Sequence, residues 1–327
     1  MSQQPYILGI DIGYGDVKVV IGTPSQITHQ FKFSSAIAQA GRASAIRDAR
    51  IIELDVGGEL HQVYAGTDAL ALPSNQIVDI SDYDTLEAYA PVFIYKALKT
   101  ADINPELIKV LVSGLSVSQL GQSGYFKERI RKFEINGESF NFDQVFLLPQ
   151  GAGSKMAFDK FGANYPQPRT TSATNTFVGC DIGFNTLDLF YVTDGKTSPN
   201  LFEGIPQEGV MRIANMVREN IKEQFQRDIT LREAKQVLDT KVYKLRGERH
   251  NMSAAVDKAI AEYVQRLQEI IEEKYGPIID KCDFICLQGG GAMFFNLADP
   301  FFQVVKNSSE FYNAIGFYLY GCQKVGV

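Results

Sequence analysis

Asp11-Ile-Gly-Tyr-Gly-Asp-Val-Lys18 and Asp181-Ile-Gly-Phe-Asn-Thr-Leu-Asp188 are two versions of one octet, 170 residues apart in a chain of 327. Each completes an apolar run, Tyr6 to Asp11 and Phe177 to Asp181, and each leads into another, Val17 to Gly22 and Thr186 to Thr193. Apolar runs of this length around a glycine-containing turn predict strand–turn–strand units. The spacing has a chemical reading. An Asp at a strand end can hold Mg²⁺, usually through water. A glycine two residues later lets the turn bring its backbone against a phosphate. Successive N–H groups of such a turn form an anion-binding nest. Lys18 adds a point charge for a β- or γ-phosphate. A lone Asp-x-Gly after a strand is most often an ordinary hairpin turn. A pair in register at half-chain spacing is the mark of a duplicated device.

Outward from the first octet the chain reads as β. Strands are expected at His29 to Ala36, Arg50 to Val56 and His61 to Ala65, with Gly57-Gly58 as a hairpin turn. Leu86, Tyr89, Phe93, Tyr95 and Leu98 give Thr85 to Lys99 a helical period. Lys109 to Gly114 reads as a buried strand. Phe133 to Leu148 reads as one hairpin turned at Asn136-Gly137, ending on Pro149-Gln150, and small residues open a helix toward Phe158. Asn164 to Thr176, rich in Pro, Thr, Ser and Asn, reads as a connection between halves.

Beyond the second octet the chain turns helical from Gly209, with Met211, Ala214, Val217 and Ile221 on one face. Leu231 to Leu238 and Ser253 to Lys274 are further helices, and the basic stretch Lys241 to His250 between them reads as an exposed loop or a protein contact. Phe284 to Gln288 reads as a buried strand, and Gly289-Gly290-Gly291 opens a helix that would let a flat or charged ligand approach. An aromatic helix, Ser309 to Tyr320, ends the chain. Strands and helices recurring in both halves imply an α/β protein with two related lobes.

Composition limits the function classes. Hydrophobic residues at 45 % and charged residues at 21 % suit a chain with a real core. A net charge of −6 offers no electrostatic footprint for direct nucleic-acid binding. Cys180, Cys282, Cys286 and Cys322 lack a zinc spacing and read as inert thiols. The polar start, Met1 to Pro5, and the lack of an apolar run of membrane length predict a cytoplasmic protein.

The order of these motifs resembles the actin–Hsp70–sugar-kinase superfamily over nearly the whole chain. The resemblance is strongest to ParM/StbA-type plasmid-segregation actins and archaeal actin-like proteins. Gly9-Ile-Asp-Ile-Gly-Tyr-Gly-Asp-Val-Lys18, Val112-Ser-Gly-Leu115, Leu148-Pro-Gln-Gly151 and Asn313-Ala-Ile-Gly316 carry it. It implies a two-lobed actin-like (ribonuclease-H-like) ATPase fold with ATP/ADP and Mg²⁺ between the lobes. Lobe I would span 1–165, completed by a C-terminal helix 309–327, and lobe II would span 175–308. The phosphate-1 loop would be Asp11 to Lys18, with Gly13, Tyr14, Gly15, Asp16 and Lys18 at the nucleotide. The phosphate-2 loop would be Asp181 to Asp188, with Gly183, Phe184, Asn185 and Thr186 there. The adenosine motif would be Leu287 to Ala292, with Gly289, Gly290 and Gly291, and Gly209 would border the nucleotide. Asp11 and Asp181 would be the metal-side carboxylates, the alternative being turn or cap residues. Gln150 would orient the attacking water, the alternative being a helix-start amide bonded to nearby backbone.

The sequence departs from the family at two turn positions. Tyr14 stands where many members carry Ser or Thr, which removes a side-chain phosphate contact but not the backbone one. Phe184 stands where several relatives have Gly. The resemblance implies filaments that depend on nucleotide, plasmid DNA segregation and a DNA-binding adaptor. Two rival functions are a small-molecule kinase, for which no Asp base is evident, and an ATP-binding regulator that does not polymerise.

Overall fold

The repeated octets fold alike. The structure, a computed structural model, describes residues 5–40, 48–78, 80, 82–161, 176–297, 299, 301–305 and 308–325. It divides into two units, Met1–Asn164 with Glu310–Val327, and Tyr165–Ser309. The expected connection Asn164 to Thr176 lies outside the described residues except at Thr176.

In the first unit, strands β1 (Tyr6–Ile12) and β2 (Asp16–Thr23) form an antiparallel hairpin that β3 (Gln26–Ser34) extends. β4 (Ile37–Gln39), β5 (Ile52–Val56), β6 (Glu59–Ala65), the short helix α1 (Thr67–Leu70) and β7 (Ile77–Val78) lead to the long helix α2 (Tyr83–Ala101). Then come β8 (Ile108–Leu115), α3 (Ser123–Arg131), the hairpin β9 (Lys132–Ile135) and β10 (Glu138–Asn141), β11 (Gln144–Pro149) and α4 (Ala152–Phe161). The main sheet runs β11-β8-β1-β2-β3, and a second sheet runs β10-β9-β5-β6-β4-β7.

The second unit repeats the main sheet. β12 (Phe177–Ile182), β13 (Thr186–Thr193) and β14 (Lys196–Pro206) form the antiparallel part. α5 (Val210–Phe225), α6 (Leu231–Thr240), the hairpin β15 (Val242–Leu245) and β16 (Glu248–Asn251), and α7 (Ser253–Ile279) intervene. β17 (Phe284–Gln288) and β18 (Phe302–Val304) then add as parallel strands, giving the order β14-β13-β12-β17-β18. α8 (Tyr312–Lys324) returns the chain to the first unit.

The octets share one register. Asp11 pairs with Lys18 and Ile12 with Val17, and Asp181 pairs with Asp188 and Ile182 with Leu187. β1 and β12 are the central strands and are buried almost throughout, which explains their near-continuous apolar runs. Leu8, Ile10 and Ile12 pack with Leu86, Phe93 and Ala97 of α2. Val178, Cys180 and Ile182 pack with Val210, Ile213 and Val217 of α5 and Val256 and Tyr263 of α7. Each such aliphatic side chain contributes about 1.5–3 kcal/mol on burial, so both hairpins are anchored from behind by the cores of their own units.

Several expectations are corrected. The hairpin read as Phe133 to Leu148 ends at Asn141, and β11 joins the main sheet beside β8. α3 and β14 were not anticipated. On α5 the buried face carries Val210 and Ile213 where Met211 was expected. Lys241 to His250 is not a loop: β15 and β16 pair around Arg246-Gly247, which both take positive φ as a type I′ turn requires. Tyr243 and His250 pack their rings on Phe225. The glycine run opens only a short 3-10 turn, Gly290–Phe294, so no helix N-terminus stands there.

All four cysteines are free. Burial pushes the Cys180 and Cys286 thiols well above their ordinary range, and lifts Cys282 to about 11 and Cys322 upward. Alkylation needs the thiolate. The native protein at pH near 8 is therefore expected to react slowly with iodoacetamide at every cysteine, and quickly once denatured. Rapid native labelling of Cys180 or Cys286, read by mass spectrometry, would contradict this packing. Among the described residues no helix is long and apolar enough to cross a membrane.

Candidate functional site

The first hairpin turn is closed by Gly13 N donating to the Asp16 carbonyl at 3.3 Å. Behind it, Ser35 holds two carbonyls: its Oγ donates to Tyr14 O at 2.7 Å and its N to Gly15 O at 3.1 Å. In a trans peptide the carbonyl and the following N–H point opposite ways, and no peptide here is cis. The N–H groups of Gly15 and Asp16 therefore turn away from Ser35, side by side. Adjacent N–H groups that face one way can receive an anion. The Tyr14 ring packs on the core and its hydroxyl accepts from Gln119 Nε2 at 2.5 Å.

Asp11 is nearly buried, at 4 % exposure. Its Oδ1 accepts from Gln150 Nε2 at 2.9 Å, and Lys18 Nζ stands 3.5 Å from its Oδ2. Lys18 also overhangs the turn, because a Cβ on Gly13 would lie 3.3 Å from its Nζ. Gln150 is fixed at the end of β11 by its own N, which donates to Leu115 O at 2.8 Å. Asp11, Gly13, Lys18 and Gln150 are thus brought together within the first unit, although Gln150 is 139 residues from Asp11.

The second hairpin is built the same way with different holders. Gly183 N donates to Thr186 O at 2.9 Å. The first amides of α5 tie back the loop: Val210 N donates to Gly183 O at 3.0 Å, Met211 N to Phe184 O at 2.7 Å and Gly209 N to Asn185 O at 3.2 Å. The N–H groups of Phe184, Asn185 and Thr186 accordingly face the other side. Gly209 is required by closeness, since a Cβ there would sit 2.6 Å from both Gly183 O and Phe184 O. The Thr186 hydroxyl donates to Asp188 Oδ2 at 3.0 Å.

Asp181, 5 % exposed, stands beside the glycine run. A Cβ on Gly289, whose φ is +86°, would lie 2.2 Å from Asp181 Oδ1. Gly291 lets the 3-10 turn press on Ile182 and Val210, and Gly290 is partly exposed. The glycine run therefore seats Asp181, a role the sequence reading did not give it.

Buried polar atoms around this hairpin fit a ligand. Asn185 Oδ1 and both amide atoms of Gln288, which pairs in register with Asp181, have no hydrogen-bond partner among the described residues. An unsatisfied buried group costs about 1–3 kcal/mol, so a polar ligand with hard-cation chemistry suits these oxygens. No group of three or more His, Cys, Asp and Glu side chains forms a complete metal cage among the described residues.

Glu208, which precedes α5, is engaged by residues the sequence reading missed. Its Oε1 lies 3.3 Å from both Arg212 Nη1 and Arg266 Nη2, and Tyr263 OH donates to its carbonyl at 2.5 Å. Burial pushes the Tyr263 phenol up, so it stays a donor. The spacing of Glu208 and Arg212 by four on a helix start was visible in sequence; the Arg266 and Tyr263 contacts span 58 and 55 residues and were not.

The model for the N-terminal domain of actin-like proteins matches residues 9–153, and that for the C-terminal domain of archaeal MreB-like actin homologues matches 180–298. No curated protein is a significant match in sequence. Among solved structures, the archaeal actin homologue Ta0583 is 21 % identical with a TM-score of 0.73, covering 97 % of this chain and 99 % of its own. A ParM filament from Clostridium botulinum is 17 % identical with a TM-score of 0.75, covering 98 % and 100 %. Bacillus thuringiensis ParM with ATP is 15 % identical with a TM-score of 0.63, covering 99 % and 100 %. Family matches to both halves place this chain in the actin superfamily, and its fold over the whole length is like those of ParM and the archaeal actin homologue.

Proposed function

We propose that the chain is an ATPase that binds Mg-ATP and assembles into nucleotide-dependent filaments in the cytoplasm, with plasmid DNA segregation as its task and a DNA-binding adaptor as its partner. The observation that carries this reading is the pair of hairpins with carbonyls tied back and amides turned forward, each with a nearly buried Asp at the strand end. Gly15 and Asp16 in one hairpin, and Phe184, Asn185 and Thr186 in the other, would donate backbone N–H groups to phosphate oxygens. Lys18 would add its ammonium charge. Asp11 and Asp181 would hold the Mg²⁺, which neutralises phosphate charge when bound. Gln150 would orient the attacking water through its amide, since it cannot act as a strong base. Gly209 and the run Gly289 to Gly291 would flank the nucleoside.

The relatives support this. The archaeal homologue is known with ADP bound, Bacillus thuringiensis ParM with ATP, and Clostridium botulinum ParM as a filament. Assembly would follow if γ-phosphate contacts favour one conformer and self-association selects it. The protein should then pellet with Mg-ATP or a slowly hydrolysed analogue, and far less with ADP. Light scattering that stays monomeric at tens of micromolar protein with every nucleotide would exclude the filament reading, while measured turnover would keep the ATPase one.

A further inference from the structure

Gln150 is held on one side by its own bonds to Leu115 O and Asp11 Oδ1. The chain after it is tied to α8. Gly151, with φ +86°, occupies the position before α4 where a capping side chain would normally stand, and it has none. An N-cap side chain usually accepts the amide of the third helical residue. Here that amide belongs to Ser154, and the acceptor comes from α8. Asn313 Oδ1 takes Ser154 N at 3.1 Å, Ser154 Oγ at 3.0 Å and Gly151 N at 3.2 Å. Asn313 is 7 % exposed and lies 162 residues from Gly151.

The rest of α8 is seated on the same frame at glycines, where a Cβ would not fit. A Cβ on Gly9 would lie 2.4 Å from Ala314 O, one on Gly114 would lie 2.2 Å from Phe317 Cζ, and one on Gly316 would lie 1.9 Å from Gly153 O. Each contact adjoins the pair Asp11–Gln150. Gly9 precedes Asp11 by two residues on β1, Gly114 directly precedes Leu115, and Gly153 is the second residue of α4. A single helix thus sets the relative places of β1, β8 and the start of α4.

We propose that Asn313 is a positioning residue for hydrolysis: capping α4 from α8, it fixes the Gly151–Ser154 turn and so the place of Gln150. The inference rests on the reading of Gln150 as the residue that orients water. Without the cap, the amides of Gly151 and Ser154 lose the Asn313 acceptor, and a turn built on glycine can shift more easily. The Gln150 amide then spends less time in its productive place, and small misplacements of a positioning group are costly in rate.

The test is steady-state turnover with nucleotide affinity and melting temperature on the same variants of the full chain. In Asn313→Ala, kcat per folded molecule is expected to fall ~10-fold, with KM and ADP affinity within about twofold of wild type. Asn313→Asp keeps an acceptor in place, where a carboxylate at a helix N-terminus is favourable, and should recover most of the rate. Should Asn313→Ala fail to fold, Asn313→Ser keeps a small polar side chain but shortens its reach, and carries the same expectation. Gly151 and Ser154 amides should exchange with solvent faster in the slow variants. A lower melting temperature with unchanged kcat, or no rescue by Asp, overturns the proposal while leaving the ATPase reading intact. No turnover in the wild type overturns both.

Discussion

ATP turnover in Asp11→Ala and in Asp181→Ala is expected to fall by roughly 10³-fold or more, the scale of losing a principal charge-stabilising group from a preorganised site, with the fold retained. Both carboxylates are nearly buried at the ends of central strands, yet neither belongs to an apolar cluster. Their removal takes away hard oxygen donors for a divalent cation without opening the core. The two variants should differ in detail. Loss of Asp11 also releases Gln150 Nε2 and the Lys18 ammonium from their shared partner. Loss of Asp181 opens the space against Gly289. Turnover and circular dichroism on both variants decide the matter, and full activity in both would remove the two-hairpin site.

Gln150→Ala is expected to leave Mg-ATP affinity nearly unchanged and to slow hydrolysis by ~10- to 1,000-fold, the range for one lost positioning or electrostatic contact. On the proposed assembly, filaments of this variant should persist longer, because the ATP state is discharged more slowly. The side chain touches Asp11, while its backbone N would keep its bond to Leu115 O in the variant. The β11–α4 junction is therefore preserved, and the expected loss is chemical. A purely structural Gln150 gives the reverse pattern: a lowered melting temperature with turnover per folded molecule unchanged.

The octets were legible because their chemistry is local. Strand, glycine turn and return strand lie within a few residues, and the shared register of Asp11 with Lys18 and Asp181 with Asp188 follows from the turn. The turns at Gly57-Gly58 and Asn136-Gly137 were read correctly for the same reason: both residues of each pair take positive φ, which these types tolerate. Arg246-Gly247 makes the same kind of turn, but an arginine there hides it, and the run of charges suggested a loop. Asp194-Gly195 obeys the rule and joins β13 to β14. The strand pattern that follows it is weak because β14 is half-exposed and carries two prolines, Pro199 and Pro206.

The sequence by itself determined the α/β class, the duplicated hairpins, Asp11, Asp181 and the glycines of both turns, because backbone freedom and strand pairing are written over short distances. Tertiary structure alone decided which way the peptide planes of those hairpins face. A peptide plane must be held from behind for its N–H to face forward, and the holders come from elsewhere in the chain: Ser35 for Tyr14 and Gly15, and the start of α5 for Gly183 to Asn185. It also decided that Gln150 meets Asp11 and that Asn313 caps α4, across 139 and 162 residues. Such contacts leave no periodicity or local motif, since the entropy of bringing distant segments together is overcome by the cores of the two units and not by the residues that meet.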